Sequence, residues 1–156
     1  MGTFEMAVTV PDLKRAPVQV SSVVLSTQLQ SAVGRKTVSP LVRNNVEIVP
    51  NLTHVVRQDQ KLYFYYEVYE PGLAESRARL RTSLAFYRGK VKVLETPVIE
   101  RTAVDAADRK AAIFQFELPA DQFKPGLYTC QVNIVDEVAG KFLFPRLELF
   151  VRPIEK

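Results

Sequence analysis

The run Glu117-Leu-Pro-Ala-Asp-Gln-Phe-Lys-Pro-Gly-Leu-Tyr-Thr-Cys-Gln-Val-Asn-Ile134 constrains this chain more than any other stretch. Pro125 presets its own φ and Gly126 can take φ > 0, so the backbone bends there. Beyond the bend, Tyr128, Cys130, Val132 and Ile134 alternate with Leu127, Thr129, Gln131 and Asn133. That is the period-two pattern of a strand with one apolar face. A tyrosine at the start of such a strand, two residues before a cysteine, either closes the corner by bonding to upstream backbone or stands as a core aromatic. Both readings make Gly126, Tyr128 and Cys130 structural.

The same alternation recurs along the chain. Lys61 to Glu70 puts Leu62, Phe64, Tyr66 and Val68 on one face, and Tyr63, Tyr65, Glu67 and Tyr69 on the other, before Pro71-Gly72 ends it. Arg79 to Tyr87 turns Leu80, Thr82, Leu84 and Phe86 inward and Arg79, Arg81, Ser83 and Tyr87 outward. Arg88-Gly89-Lys90 then forms a hairpin turn into Val91 to Leu94. Ala111 to Leu118 buries Ala112, Phe114, Phe116 and Leu118, and Lys141 to Val151 is a last strand in which Pro145 marks an edge or a bulge. Val18 to Leu25 and Val46 to Val49 are shorter strands, and Asp105 to Lys110 is expected to make one helical turn. Strands at this spacing, with no long helix, predict an all-β fold, an immunoglobulin-like or fibronectin III-like β-sandwich with extra N-terminal strands.

Residues 2–10 match Gly126–Ile134 in type, Gly2 with Gly126, Phe4 with Tyr128, Met6 with Cys130, Val8 with Val132 and Val10 with Ile134. The partial repeat suggests three segments: 1–25, N-terminal strands from the last hairpin of a preceding sandwich; 26–45, a loop or linker; and 46–153, the sandwich proper.

A chain of 156 residues can bury one core, and its net charge of +4 is a weak argument for nucleic acid or membrane. No run is long enough for a transmembrane helix, and the N-terminus lacks a signal-peptide pattern. The one cysteine, Cys130, cannot form an internal disulfide and reads as a small buried hydrophobe. The one histidine, His54, lies in a polar segment and reads as an exposed or turn residue, so a Cys–His nucleophile pair has no support. Asn51-Leu-Thr53 fits a glycosylation sequon and nothing more. Asp105, Asp108 and Asp121 lack the dense Asp/Asn/Gly loop of a calcium site, and no carboxylate spacing singles out an acid/base pair. No catalytic residue, metal or cofactor is expected.

Pro50-Asn-Leu-Thr, Leu62-Tyr-Phe-Tyr-Tyr-Glu-Val-Tyr69, Lys124-Pro-Gly-Leu-Tyr128 and Asp136-Glu-Val-Ala-Gly-Lys141 carry a family likeness, joined by Gly2-Thr-Phe, Val10-Pro-Asp-Leu13 and Val23-Val-Leu-Ser26. From residue 2 to about 152 the chain resembles the C-terminal region of bacterial von Willebrand factor A-related proteins of the acidobacterial type. More distantly it resembles the tails of GWxTD-domain proteins. The resemblance implies an accessory sandwich downstream of an adhesion-type domain in an exported protein: periplasmic, cell-surface or secreted. The ion-binding Asp-x-Ser-x-Ser motif of the adhesion domain is absent, so no ion ligands carry over, and the resemblance supplies no catalytic residues.

Two surface features remain. Tyr63, Tyr65 and Tyr69 lie on one strand face at a spacing of about 7 Å for neighbours two apart, which suits flat ligands such as sugar rings. The alternative is that they cover the sheet against a neighbour. Arg79 and Arg81, with Arg77, Arg88, Lys90 and Lys92, form a basic cluster that either meets an acidic partner or is a solvated face guarding an edge strand. The expected function is a non-catalytic module that positions domains and makes protein–protein contacts. Its partners are other domains of the parent chain or another protein, with nucleic acid and membrane insertion excluded. A carbohydrate-binding module using the tyrosine face is the alternative.

Overall fold

A computed structural model describes residues 12, 18–34 and 39–154. The expected strand at residues 2–10, and with it the repeat, lies outside the described residues. Among the described residues thirteen strands form two sheets that curl around a shared core. The first sheet holds β1 (Gln19–Val20), β2 (Val24–Ser31), β3 (Val42–Arg43), β4 (Val46–Pro50), β6 (Lys61–Tyr69) and β10 (Ala111–Pro119). The second holds β5 (Val55–Arg57), β7 (Leu80–Arg88), β8 (Val91–Glu95), β9 (Ile99–Arg101), β11 (Gly126–Asp136), β12 (Lys141–Leu143) and β13 (Arg146–Arg152).

In the first sheet, β6 is the spine. It pairs antiparallel along its whole length with β10, from Ala111↔Tyr69 to Pro119↔Lys61. On its other side it pairs with β1 and β2, and β2 continues the sheet through β4 to β3. In the second sheet β11 is the spine, flanked by β7 on one side and by β13 and β12 on the other. The alternating inward residues all reach the core: Leu62, Phe64, Tyr66 and Val68 from β6, Leu80, Leu84 and Phe86 from β7, and Tyr128, Cys130, Val132 and Ile134 from β11. Phe64 meets Phe86 edge-on across the two sheets at 5.7 Å, and Phe86, Phe123 and Tyr128 continue as a line of tilted rings. Burying each of these large side chains is worth about 1.5–3 kcal/mol, which makes this seam the main source of stability.

Three polar devices join the sheets. In mid-core the Tyr66 hydroxyl bonds to Thr82, whose Oγ1 donates to the Asn133 carbonyl at 2.7 Å. At one end the buried Asp136 carboxylate accepts the backbone N–H of Gly72 at 2.7 Å and of Ala139 at 2.9 Å, tying the turn after β6 to the β11–β12 turn. Gly72 is required there, because a Cβ would lie 2.7 Å from the Ala139 backbone nitrogen. At the other end the Tyr128 hydroxyl donates to the Lys124 carbonyl at 2.7 Å, so the corner is closed through upstream backbone. Gly126, at φ +142°, sits under the Arg88 guanidinium, which also lies over the Tyr128 ring.

Two local expectations are corrected. The loop expected over 26–45 carries strand at both ends: β2 runs on to Ser31 and pairs with β4, with a bulge at Ser26, and β3 follows at Val42–Arg43. Its polar residues are compatible with a strand because much of this stretch faces water on both sides. No helical turn forms at Asp105 to Lys110; the segment is a tight turn bridged by Ala106 and Ala111, with Lys110 at φ +48°. Ser83 faces outward on β7 as expected and, like Ala85 on the same side, is covered there. Finally, β5 is an additional strand, running parallel to β13 after the Asn51–His54 turn carries the chain from one sheet to the other. Pro145 interrupts the last strand into β12 and β13 and gives its carbonyl to the Val132 N–H.

Candidate functional site

The tyrosine face divides once its cover is seen. Tyr65 is buried, packed with Ile113 from β10 and Ile48 from β4 in a small second core on the outer side of the first sheet. Its hydroxyl lies 2.9 Å from the Pro40 carbonyl oxygen and donates to the buried Glu67. Tyr63 and Tyr69 remain half-buried. The three rings therefore do not form one open platform, and Tyr65 is a core residue of this face.

Glu67 is the chemical centre of that face. Only 1 % of it is exposed, and Arg109 clamps it with two bonds, Nε to Oε2 at 2.8 Å and Nη2 to Oε1 at 2.6 Å. Arg109 Nη1 donates to the Asp108 carboxylate. The guanidinium holds the Glu67 carboxyl below the usual carboxylate range, against burial, which pushes it up; the Tyr65 hydroxyl helps to lower it. Burial and the bond to Glu67 push the Tyr65 hydroxyl well above its ordinary value. Every buried side-chain polar atom here is matched, so the Glu67–Arg109 pair reads as structural, while the exposed side of Arg109 borders a cavity of about 700 Å³ together with Asp108 and Pro40.

Half of the basic cluster is met by acid. Arg79 pairs with Glu137, Arg81 with Glu100 and Glu137, and Lys92 with Glu95. Arg88 is spent on the Pro125 carbonyl and the Tyr128 ring. Arg77 and Arg79 border a cavity of about 500 Å³ near Glu75 and Glu137 whose rim carries both signs of charge. Two of the other sequence candidates are structural. His54 sits in the sheet-switch turn at φ +53° with Nδ1 2.9 Å from the Glu148 carbonyl oxygen. Asn51 braces the same turn, its Nδ2 donating to the Val55 carbonyl, so the sequon serves as turn chemistry. Burial pushes the Cys130 thiol far above its ordinary value, which makes it inert as a nucleophile. Among the described residues no group of three His, Cys, Asp or Glu is placed to hold a metal ion, and no helix is long and apolar enough to cross a membrane.

The surface that stands out was not selected from the sequence. On the outer face of the second sheet, Val55, Phe150 and Leu127 form a row across β5, β13 and β11. At the other end Val135 pairs with Phe142, whose ring lies 5.5 Å from Phe144. These six apolar side chains are between 36 % and 61 % exposed. Between the two apolar ends runs a polar band: Arg146 Nε donates to Gln131 Oε1, Gln131 Nε2 to Asn133 Oδ1, and Asn133 Nδ2 to Ser83 Oγ. This band is what covers Ser83. The signal for the patch was present in the sequence as outward apolar positions on strands whose inward positions are already filled.

No family model and no curated protein matches the chain. Among solved structures it is similar to a β-glucosidase from Listeria innocua in complex with glucose, at 11 % identity and a TM-score of 0.43, over 63 % of this chain and 14 % of that one. It is similar to the C-terminal domain of Wzt at 12 % identity and a TM-score of 0.45, over 88 % and 75 %. A superoxide reductase (neelaredoxin) from Ignicoccus hospitalis gives 16 % identity and a TM-score of 0.41, over 64 % and 75 %. The chain thus spans about one seventh of the glucosidase, and likeness of this degree carries no argument about chemistry.

Proposed function

We propose that this chain is a non-catalytic, immunoglobulin-like accessory module that positions domains and makes protein–protein contacts within a larger exported bacterial protein. The observation that carries the reading is the apolar patch on the outer face of the second sheet. Six large side chains on one face, at two ends of a hydrogen-bonded polar band, are costly to leave in water, and such patches mark contact surfaces. The Glu67–Arg109 pair and the acid-matched arginines support a structural role for these polar groups. Export rests on the resemblance to the von Willebrand factor A-related proteins.

Photo-cross-linking in the producing organism tests the reading, with the photoreactive residue placed at Phe142, Phe150, Tyr63 or Val91. Discrete protein adducts should form at Phe142 and Phe150 and be absent at Tyr63 and Val91. Equal labelling at all four positions, or none at the two phenylalanines, overturns it. The polysaccharide alternative has its own readout, since the chain holds 6 Tyr and no Trp and tyrosine fluorescence is unmasked. Titration with a polysaccharide panel should leave that signal unchanged. Saturable quenching lost in Tyr63→Ala would favour the sugar reading instead.

A further inference from the structure

We infer that the partner of this apolar face is a second copy of the same chain, docked face to face about a two-fold axis crossing β13 at Leu147. The inference rests on the contact-module reading and names its partner. The face has the pattern an isologous contact requires, in which one patch must complement itself. Along the outer side of β13 the order is Arg146, Glu148, Phe150, and Phe144 precedes it beyond Pro145. A two-fold axis at Leu147 reverses that order. Arg146 then faces the partner's Glu148, Glu148 faces the partner's Arg146, and the phenylalanine at each end meets the opposite end, Phe144 against the partner's Phe150.

The charges argue for this more than the apolar residues do. Arg146 and Glu148 are both exposed and of opposite sign, two residues apart on one face. Neither forms an ion pair with any described residue: Arg146 is hydrogen-bonded to Gln131, and the Glu148 contact to His54 uses its backbone carbonyl. Elsewhere on this sheet the exposed cations Arg79, Arg81 and Lys92 are paired with acids, whereas Arg88 and Arg101 lie over aromatic rings. An unpaired Arg and an unpaired Glu, related by the axis that also sets Phe144 against the partner's Phe150, are each neutralised by the other copy. The area suffices as well. From Phe142 to Arg152, the span the axis makes symmetric, the face runs about 33 Å, and the three strand positions of β12–β13, β11 and β7 cover about 14 Å. Each copy therefore buries about 500 Å², and the pair reaches the roughly 1,000 Å² at which specific interfaces begin.

The experiment is sedimentation velocity on the full chain, its Arg146→Glu and Glu148→Arg variants, and their equimolar mixture. The wild-type mass should rise with concentration from 17.6 kDa toward twice that value. Each single variant sets like charges opposite one another and should weaken the dimer at least tenfold. Mixing the two variants restores both cross-pairs, because one copy carries two cations and the other two carboxylates, so a heterodimer should form. Circular dichroism of each variant confirms that the fold is retained. A wild-type chain monomeric at every concentration, or single variants that dimerise as well as wild type, overturns the inference. If dimerisation fails while the Phe142 and Phe150 cross-links join a different protein, the module reading stands and the second-copy reading falls. If the cross-links fail too, both fall.

Discussion

Replacing Arg109 by alanine leaves the Glu67 carboxylate buried with hydroxyl partners alone, and the cost can be worked from the geometry. Breaking a fully buried ion pair by removing one partner costs about 3–5 kcal/mol. Here Glu67 is enclosed, while the Arg109 side chain is 34 % exposed, so water can take up part of the lost solvation. That discount brings the expected loss to about 2–3 kcal/mol at pH 7. For a chain of this size it corresponds to a fall in Tm of about 5–10 °C. The pH dependence carries the sharper test. In the native protein Arg109 holds the Glu67 pKa below its ordinary value, so the pair stabilises fully above about 4.5 and is lost as pH falls through the lower folded value. Without Arg109 the largest remaining cause is burial, which pushes the carboxyl up against the Tyr65 and Tyr69 hydroxyls. Arg109→Ala should therefore gain stability as pH falls from 7 toward about 5, where wild type is flat. Urea unfolding across that range reads both slopes. A loss under about 0.5 kcal/mol at pH 7 with parallel pH profiles would refute the reasoning, since water would then already reach the carboxylate.

Tyr128→Phe removes a single hydroxyl from the corner and should cost about 1–1.5 kcal/mol in urea unfolding with no change in m-value. Gly72→Ala puts a methyl against the Ala139 backbone nitrogen and should cost about 1–3 kcal/mol, with amide exchange speeding up at Gly72 and Ala139, the two donors to Asp136. Cys130 should resist iodoacetamide in the native state and react only at the rate of global unfolding, because burial both hides the thiol and raises its pKa. Tyr65→Ala should unfold the small second core and cost about 3–5 kcal/mol, whereas Tyr63→Ala on the same strand should cost under about 1 kcal/mol.

The inner half of this fold was legible because alternation is a direct report of which side chains share a face. Phe64, Phe86, Phe114, Cys130 and Ile134 all sit where their strand parity puts them. Tyr128 was legible for a second reason: its partner is the Lys124 carbonyl four residues upstream, so the corner is local. What parity cannot report is what covers the other face. Tyr65 is buried because Ile113 and Ile48, from strands far away in sequence, close over it. The same limit hid Ser83, whose cover is long polar side chains from β11. β2 beyond Leu25 escaped notice because its outer residues are polar on both faces, and β5 because three residues carry no periodicity. The phenylalanine patch escaped for the opposite reason, since aromatic residues on strands read first as core.

The placement of β13 has a mechanical consequence. Its residues bond to β11 on one side, antiparallel, and to β5 on the other, parallel. A pull on the backbone just after Arg152, directed along the strand, loads both ladders in shear. The bonds from Gln131↔Arg146 to Gly126↔Val151 then share the force and must break together, whereas a pull across the sheet would open them one at a time. Tension transmitted along the chain from that side therefore meets the strongest direction of the domain, and the strand that carries it also holds Leu149 and Val151 in the core.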